Sequence, residues 1–338
     1  MKTRIVNVGN VPIGGGDTVL IAGPCTIESE EQICTIAELV KSSGAKILRG
    51  GAFKPRTNAD SFQGLHEQGL EFLSIAKAKT GLPTVSEITD ASLLPLFEDV
   101  DLLQVGARNM QNYELLKALG RQNKPVLLKR GFAATYDELL SASEYIKKGG
   151  NENIILCERG IRTFEPYTRY TFDISAIPAL KSMAEYPIIA DPSHAAGRYD
   201  MIKPLCLAST AAGADGIMTE VHYAPESAVC DGRQSVKPNL FGEIAGQVLE
   251  ISALRRVNES NSKSEDFGEL RKMIDEADRE LASVFAKRLD IVKQIGQIKR
   301  MKNLPVTDSE RENEILSKMD DNLKRLYRTI FEISKDNE

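Results

Sequence analysis

Eight short apolar runs recur between residues 19 and 222: VLIAG (19–23), AKILRG (45–50), LPTVSE (82–87), DLLQVGA (101–107), KPVLLKR (124–130), NIILCERG (153–160), YPIIADPSH (186–194) and DGIMTEVH (215–222). Each has little polar alternation, as expected for strands of a parallel sheet covered on both faces. Amphipathic stretches lie between them, among them EEQICTIAELVKSSG, NYELLKALGRQ and TYDELLSASEYIKKGG, and LFGEIAGQVLEISALRRV is the last. Glycine stops at or near two of their ends read as helix termini. Eight strand–helix units over about 240 residues predict an α/β fold, a closed (β/α)8 barrel. An open doubly wound sheet is the alternative. No GxGxxG follows the first strand, which argues against a dinucleotide site. RIVNV and VPIGGGD, at the start, predict a hairpin closing the barrel's bottom.

The composition changes near residue 258. NESNSKSED (258–266) has no apolar residue and reads as a linker. The expected domains are therefore a barrel over 1–257, this linker, and an all-α domain over 267–338. In the last of these, Leu270, Ile274, Ala277, Leu281, Val284, Phe285, Leu289, Val292, Ile295 and Ile298 form one helical stripe. Pro305 should stop that helix, Thr307 to Glu310 has the form of a capping box, and LKRLYRTIFEIS makes a third helix. Three helices in so short a chain make a thin core, so this domain is expected to dimerise.

Charge and cysteine usage exclude several classes. A formal net charge of −5 argues against nucleic acid or a membrane surface as partner. No run approaches the ~18 apolar residues of a membrane span. MKTRIVNVGN lacks an apolar signal core, and the expected location is the cytoplasm. Five cysteines without tight spacing do not read as a disulfide framework.

In such barrels the active site lies at the C-terminal ends of the strands. Those ends carry Cys25, Arg49, Glu87, Arg108, Lys129, Arg159, His194 and Glu220. KPRT adds Lys54, Pro55, Arg56 and Thr57 just past the second strand. Any one base alone reads as a surface ion pair. An acidic protein gathering several on one rim is building an anion site, because Arg matches phosphate or carboxylate bidentately. Cys25, His194 and Glu220 end neighbouring strands once the barrel closes, and Asp231 follows on the next loop. Together they make a mixed divalent-metal site that does not choose among Mn, Fe, Co, Zn and Cu. His222 is a rival ligand.

GPC (23–25), RGGAFKPRT (49–57), GARN (106–109), LLKRG (127–131), ERG (158–160), DPSHAAG (191–197), TEVH (219–222) and CDGRQS (230–235), in this order, resemble the type I-beta 3-deoxy-D-arabino-heptulosonate 7-phosphate (DAHP) synthases over residues 1 to about 257. That family condenses phosphoenolpyruvate with erythrose 4-phosphate. The resemblance implies a metal on Cys25, His194, Glu220 and Asp231. It implies phosphoenolpyruvate phosphate on Arg108 and Arg159, its carboxylate on Lys129 and Arg49, and the aldose phosphate on Arg56 and Thr57. Lys54 would deliver a proton and Glu87 would position water. The 3-deoxy-octulosonate 8-phosphate synthases are the alternative on the same barrel, but they typically carry KANRS where KPRT stands here.

LRKMIDEADRELASVFAKRLDIVKQIGQIK (270–299), PVTDSERE (305–312) and Ser334 resemble the all-helical class of chorismate mutase, in which two chains intertwine. Arg288 and Lys299 are three turns apart on one face, with Cα atoms ~16 Å apart, and Arg271 lies roughly 90° around the helix. The resemblance implies Arg271, Arg288 and Arg311 as carboxylate clamps and Lys299 at the ether oxygen. Asp308, Glu312 and Ser334 would hold the remaining polar groups. Basic helices are often only a solvated face, so a non-catalytic dimerisation or regulatory module is the alternative. The fusion further implies inhibition of the synthase by prephenate or chorismate. The expected assembly is a dimer through the helical domain, with a tetramer through the barrel as the larger alternative.

Many mutases of this class have Gln four residues after the Ser, where this chain has Glu338. A carboxyl must be protonated to donate to the ether oxygen. Mutase turnover is therefore expected to rise as pH falls from 8 to 5. A flat profile in a chorismate-depletion assay would remove Glu338 from the site.

Overall fold

The structure is a computed structural model that describes residues 3–55, 58, 60–260, 267–302, 305 and 309–336. The chain divides into two compact units, Met1–Glu259 and Ser260–Glu338.

The first unit opens with the expected hairpin, Val6–Val8 (β1) and Val11–Ile13 (β2), paired antiparallel with Val6 opposite Ile13. Eight strands follow: Val19–Gly23 (β3), Ile47–Arg49 (β4), Thr84–Glu87 (β5), Leu102–Val105 (β6), Val126–Lys129 (β7), Ile154–Glu158 (β8), Ile188–Ala190 (β9) and Gly216–Glu220 (β10). They close into a barrel in the order β10-β3-β4-β5-β6-β7-β8-β9. The closing pair is parallel and runs from Gly216 opposite Val19 to Glu220 opposite Gly23. All eight apolar runs are thus strands, and the barrel expectation holds.

One connection departs from the eight-helix pattern. After β5 the chain winds as a 3-10 turn, Ala91–Phe97, with Pro95 inside it. Proline has no N–H and its ring crowds the preceding turn, so a short tight winding replaces an α-helix. Several other helices start on side-chain caps. Thr135 and Glu138 form a capping box, with Glu138 N–H donating to Thr135 Oγ1 at 3.2 Å and Thr135 N–H donating to Glu138 Oε2 at 2.8 Å. The last helix of this unit, Pro238–Ser260, runs three residues into the stretch read as linker. Among the described residues no helix is long and apolar enough to cross a membrane.

Alternation along the strands makes two apolar layers. Outward residues such as Leu20, Ala22, Leu48, Leu103, Leu128 and Leu156 pack under the helices. Inward residues Val19, Ile21, Ile47, Val85, Leu102, Leu127, Ile155, Cys157, Ile189 and Met218 fill the barrel, joined by Val6, Val8 and Ile13 of the hairpin. The hairpin therefore adds its buried face to the barrel interior.

The second unit holds the helices Phe267–Met301, Ser309–Ser317 and Asp321–Lys335. The first ends four residues before Pro305, and the start of the second at Thr307 lies outside the described residues. Asp320 caps the third, accepting from the N–H groups of Asn322 and Leu323 at 2.9 and 3.0 Å. Val292 and Phe331 are buried, at 7% exposure each, but Ile274, Leu281 and Val284 of the predicted stripe stay 60, 55 and 66% exposed.

An ion pair stitches the outer layer of the barrel. Arg130 Nη1 lies 2.8 Å from Glu158 Oε2 and 2.8 Å from Asp173 Oδ2, and Glu158 has no exposed side-chain surface. Removing one partner of such a pair leaves the other buried and uncompensated. Arg130→Ala is expected to cost about 3–5 kcal/mol, read as a lower urea midpoint for the barrel. An unchanged midpoint would show that the pair adds nothing.

Candidate active site

The inward faces of the strands build the site. One step of two residues beyond the last inward apolar side chain leads from Ile47 to Arg49, from Val85 to Glu87 and from Leu102 to Gln104. The same step leads from Leu127 to Lys129, from Cys157 to Arg159, from Ile189 to Asp191 and from Met218 to Glu220. In β3 the same parity leads from Ile21 to Cys25. The apolar interior thus ends in a polar layer at the C-terminal mouth. Above it opens a cleft of about 260 Å³ lined by Lys54, Arg108, Lys129, Arg159, Arg169 and His194, with Pro55 and Glu87 also on its wall.

Two buried carboxylates organise that layer. Glu220 Oε1 lies 2.5 Å from Arg49 Nη1 and 3.3 Å from His194 Nε2, and its Oε2 accepts from Gln234 Nε2 at 2.6 Å. Burial alone would push the Glu220 carboxyl up, but His194, Arg49 and Lys54 outweigh it and hold the pKa far down. Asp191 Oδ2 accepts from Lys129 Nζ at 2.5 Å and lies 2.7 Å from His194 Nδ1. Asp191 is held low in the same way, with burial opposed chiefly by His194 and Lys129. Burial keeps His194 below the usual imidazole pKa despite both carboxylates. A neutral imidazole oriented by a carboxylate is a metal ligand's arrangement.

The Cys25 thiol also lies against Asp231. Cys25 Sγ lies 3.3 Å from Cys230 Sγ and 3.3 Å from Asp231 Oδ2. Donation from Cys25 pulls the Cys230 thiol down to about 7, while that bond and burial hold Cys25 well above its usual value. Lys54 Nζ reaches Cys25 Sγ and the Cys25 carbonyl, both at 3.1 Å. Burial opposes the Lys54 charge, but the two thiols, Glu87 and Glu220 raise its pKa, so it is an ammonium. The donor atoms form two groups, each within 4.8 Å: Cys25–Cys230–Asp231 and His194–Glu220–Asp231. The four expected ligands therefore fall in two overlapping groups that share Asp231. Thiol, imidazole and carboxylate donors converging there suit a divalent transition metal.

Arg108 and Arg159 share an aromatic seat. Their guanidinium carbons lie 5.4 and 5.1 Å from the Phe132 ring centre, and Arg159 lies 4.2 Å from that of Tyr170. Burial lowers the Arg159 pKa. It donates to the carbonyls of Gly160 at 3.4 Å and His194 at 3.3 Å. Glu87 accepts from Gln104 Nε2 at 3.3 Å, and a Cβ at Gly106 would lie 2.0 Å from Glu87 Oε1. A larger residue at 106 would displace that carboxylate from where it stands.

Arg56 and Thr57 lie outside the described residues, as do Asp308 and Glu338. His222 is in neither donor group; its Nε2 is buried without a hydrogen-bond partner, 3.7 Å from Glu28 Oε1. Sequence reasoning missed Asp191, Gln104, Gln234, Cys230 and Arg169. Strand parity alone would have found the first two. In the helical unit, Arg288 Nη1 donates to Ser334 Oγ and lies over Phe331, 5.9 Å from the ring centre. Glu312 pairs with Lys335 at 3.0 Å, and Arg311 pairs with Glu314 one turn on. Arg271 is exposed and Lys299 half-buried.

Residues 2–255 match the model of the DAHP synthetase I family, and residues 270–338 match chorismate mutase type II. A phospho-2-dehydro-3-deoxyheptonate aldolase of Thermotoga maritima is 49% identical over 252 residues, covering 74% of this chain and 75% of the relative. A 2-dehydro-3-deoxyphosphooctonate aldolase of Geobacter sulfurreducens is 34% identical over 273 residues, covering 75% of this chain and 99% of the relative. The crystal structure of the Thermotoga maritima DAHP synthase superposes with a TM-score of 0.73 at 47% identity, covering 75% of each chain. A truncated form of the Thermotoga maritima synthase gives 0.70 at 44% identity, covering 75% of this chain and 94% of that one. With the family match spanning the whole barrel and its polar mouth, the chain belongs to the DAHP synthetase I family and carries a chorismate mutase type II segment after it.

Proposed function

We propose that the chain is a bifunctional shikimate-pathway enzyme. Its barrel condenses phosphoenolpyruvate with erythrose 4-phosphate to DAHP and phosphate, and its helical unit rearranges chorismate to prephenate. The observation that carries the first half is the cluster of cationic side chains around one cleft, above a floor of buried carboxylates and thiols.

Arg108 and Arg159, seated on Phe132, hold the phosphate of phosphoenolpyruvate. Lys129 and Arg49 each give one bond to a buried carboxylate and keep further N–H donors for the substrate carboxylate. Arg56 and Thr57 take the aldose phosphate. C3 of the enol attacks the aldehyde carbon. Lys54, charged and at the floor of the cleft, delivers a proton to the new alkoxide. Water held by Glu87 adds at C2, and phosphate then leaves by C–O cleavage. Cys25, His194, Glu220 and Asp231 would hold a divalent metal, which supplies Lewis-acid polarisation of the aldehyde when bound. The higher identity to the heptulosonate enzyme and the KPRT motif favour the four-carbon aldose over the octulosonate alternative.

In the helical unit Arg288, steered by Ser334, is a carboxylate clamp. Arg271, Arg311 and Lys299 complete the charge around chorismate, with Glu312 and Asp308 on its hydroxyl. The rearrangement needs only a held conformer and a stabilised ether oxygen. The exposed Ile274, Leu281 and Val284 support a dimer through this unit. Prephenate or chorismate bound there slows the synthase.

Phosphoenolpyruvate consumption with erythrose 4-phosphate is expected to stop with a chelator and return with a divalent metal. No turnover with any metal, on folded protein, would turn the barrel reading to the five-carbon aldose. Arg288→Ala is expected to lower mutase kcat/KM by roughly 10²–10³-fold and to raise the prephenate concentration that half-inhibits the synthase. Mutase activity at the wild-type level would leave the helical unit a non-catalytic module.

A further inference from the structure

The cationic row at the mouth continues past Arg108 and Arg159. Those two share the Phe132 ring, and Arg159 shares the Tyr170 ring with Arg169, whose guanidinium carbon lies 5.9 Å from its centre. Arg169 lines the catalytic cleft and also a second cavity, of about 510 Å³, whose wall carries Tyr167, Arg198 and Arg233. Its backbone is pinned between the two. Arg169 N–H donates to the Ala196 carbonyl at 3.1 Å, and a Cβ at Gly197, where φ is 68°, would lie 2.5 Å from the Arg169 Cβ. Arg198 lies over the Tyr167 ring, 4.7 Å from its centre, and gives two N–H bonds to Asp200 at 2.7 and 2.8 Å. A guanidinium has further donors to offer a ligand. Arg233 stands exposed at the rim. Among the described residues Asp231 is the one carboxylate on this wall, and Arg169 Nη1 lies 3.3 Å from its Oδ1. In a chain of net charge −5, three arginines around one cavity make a local anion site, and their planar forks match phosphate.

The position of the cavity says which anion it takes. KPRT follows β4, whereas this cavity lies among the loops after β8, β9 and β10, away from the aldose phosphate. The condensation frees phosphate beside Arg108 and Arg159, and Arg169 is the next cation along the shared ring. We propose that the second cavity is a release station for inorganic phosphate. The ion freed at Arg108 and Arg159 passes to Arg169, and then to Arg198 and Arg233, before it reaches solvent. New charge-assisted bonds form as old ones break, so no single step strips the ion of all its partners. No covalent bond changes in this passage. The inference rests on the condensation assigned to the barrel.

The test uses the full chain, with inorganic phosphate as the probe, in wild-type, Arg233→Ala and doubly substituted Arg198→Ala, Arg233→Ala forms. Both side chains lie outside the catalytic cleft, so KM for phosphoenolpyruvate is expected to stay at the wild-type value. Equilibrium dialysis with labelled phosphate is run under saturating phosphoenolpyruvate, which occupies Arg108 and Arg159. The wild type is expected to bind one phosphate more than the double variant, and Arg233→Ala to bind that phosphate about tenfold more weakly. Equal binding by all three forms would overturn the proposal. A single turnover with divalent metal then compares quenched enol consumption with free phosphate read by a fluorescent phosphate-binding protein. The lag between the two is expected to lengthen roughly threefold or more in the double variant, as two charged partners are lost. An unchanged lag would overturn the release role. A folded wild-type chain that binds the extra phosphate but consumes no phosphoenolpyruvate would instead overturn the condensation reading, and the release role with it.

Discussion

Glu220 keeps its charge with no exposed surface, and the mouth of the barrel is arranged around that fact. An isolated buried carboxylate is costly unless it is paired and hydrogen-bonded. Arg49, Gln234 and His194 surround it from β4, from the loop after β10 and from the turn after β9. His194 also lies against Asp191, which Lys129 of β7 neutralises. One chain of ionic and imidazole contacts therefore crosses the barrel from Arg49 through Glu220, His194 and Asp191 to Lys129. Each member is oriented before any ligand arrives, and no member can be removed without stranding another. Such preorganisation is what a site stabilising developing charge requires.

The same alternation that makes the site protects the fold beneath it. In LLKRG and ERG, neighbouring residues face opposite ways. Lys129 and Arg159 turn into the mouth, while Arg130 and Glu158 turn outward and pair with each other across β7 and β8. One short motif thus supplies a functional residue and a structural one. The polar layer begins where the apolar filling of Met218, Ile189 and Leu127 ends, so charge at the mouth does not interrupt the packed interior.

The helical unit works on a different scale. Among its described residues the buried large apolar side chains are Val292 and Phe331, and Ile274, Leu281 and Val284 of its stripe are exposed in the single chain. Small helical units reach stability by burying such a stripe against another copy. The Arg288–Ser334 contact nevertheless forms within one chain, because helix Asp321–Lys335 brings Ser334 against the middle of the long helix.

The sequence by itself determined the eight strands, the hairpin, the change to helix after the barrel and most residues at the mouth. Apolar runs and a period of two are local properties that tertiary packing does not alter. Asp191 and Gln104 were also readable by parity, two residues beyond Ile189 and Leu102. Three features only the tertiary structure decided. Cys230 joins Cys25 because a left-handed residue at 231 redirects a loop. Phe132 and Tyr170 stack at 5.1 Å under Arg159 because two loops meet above the barrel. The expected metal quartet divides into two groups around Asp231 because distances between loops depend on how the barrel closes. Side-chain period is set by the backbone of a single strand, whereas the separation of donors on different strands is set by the whole ring.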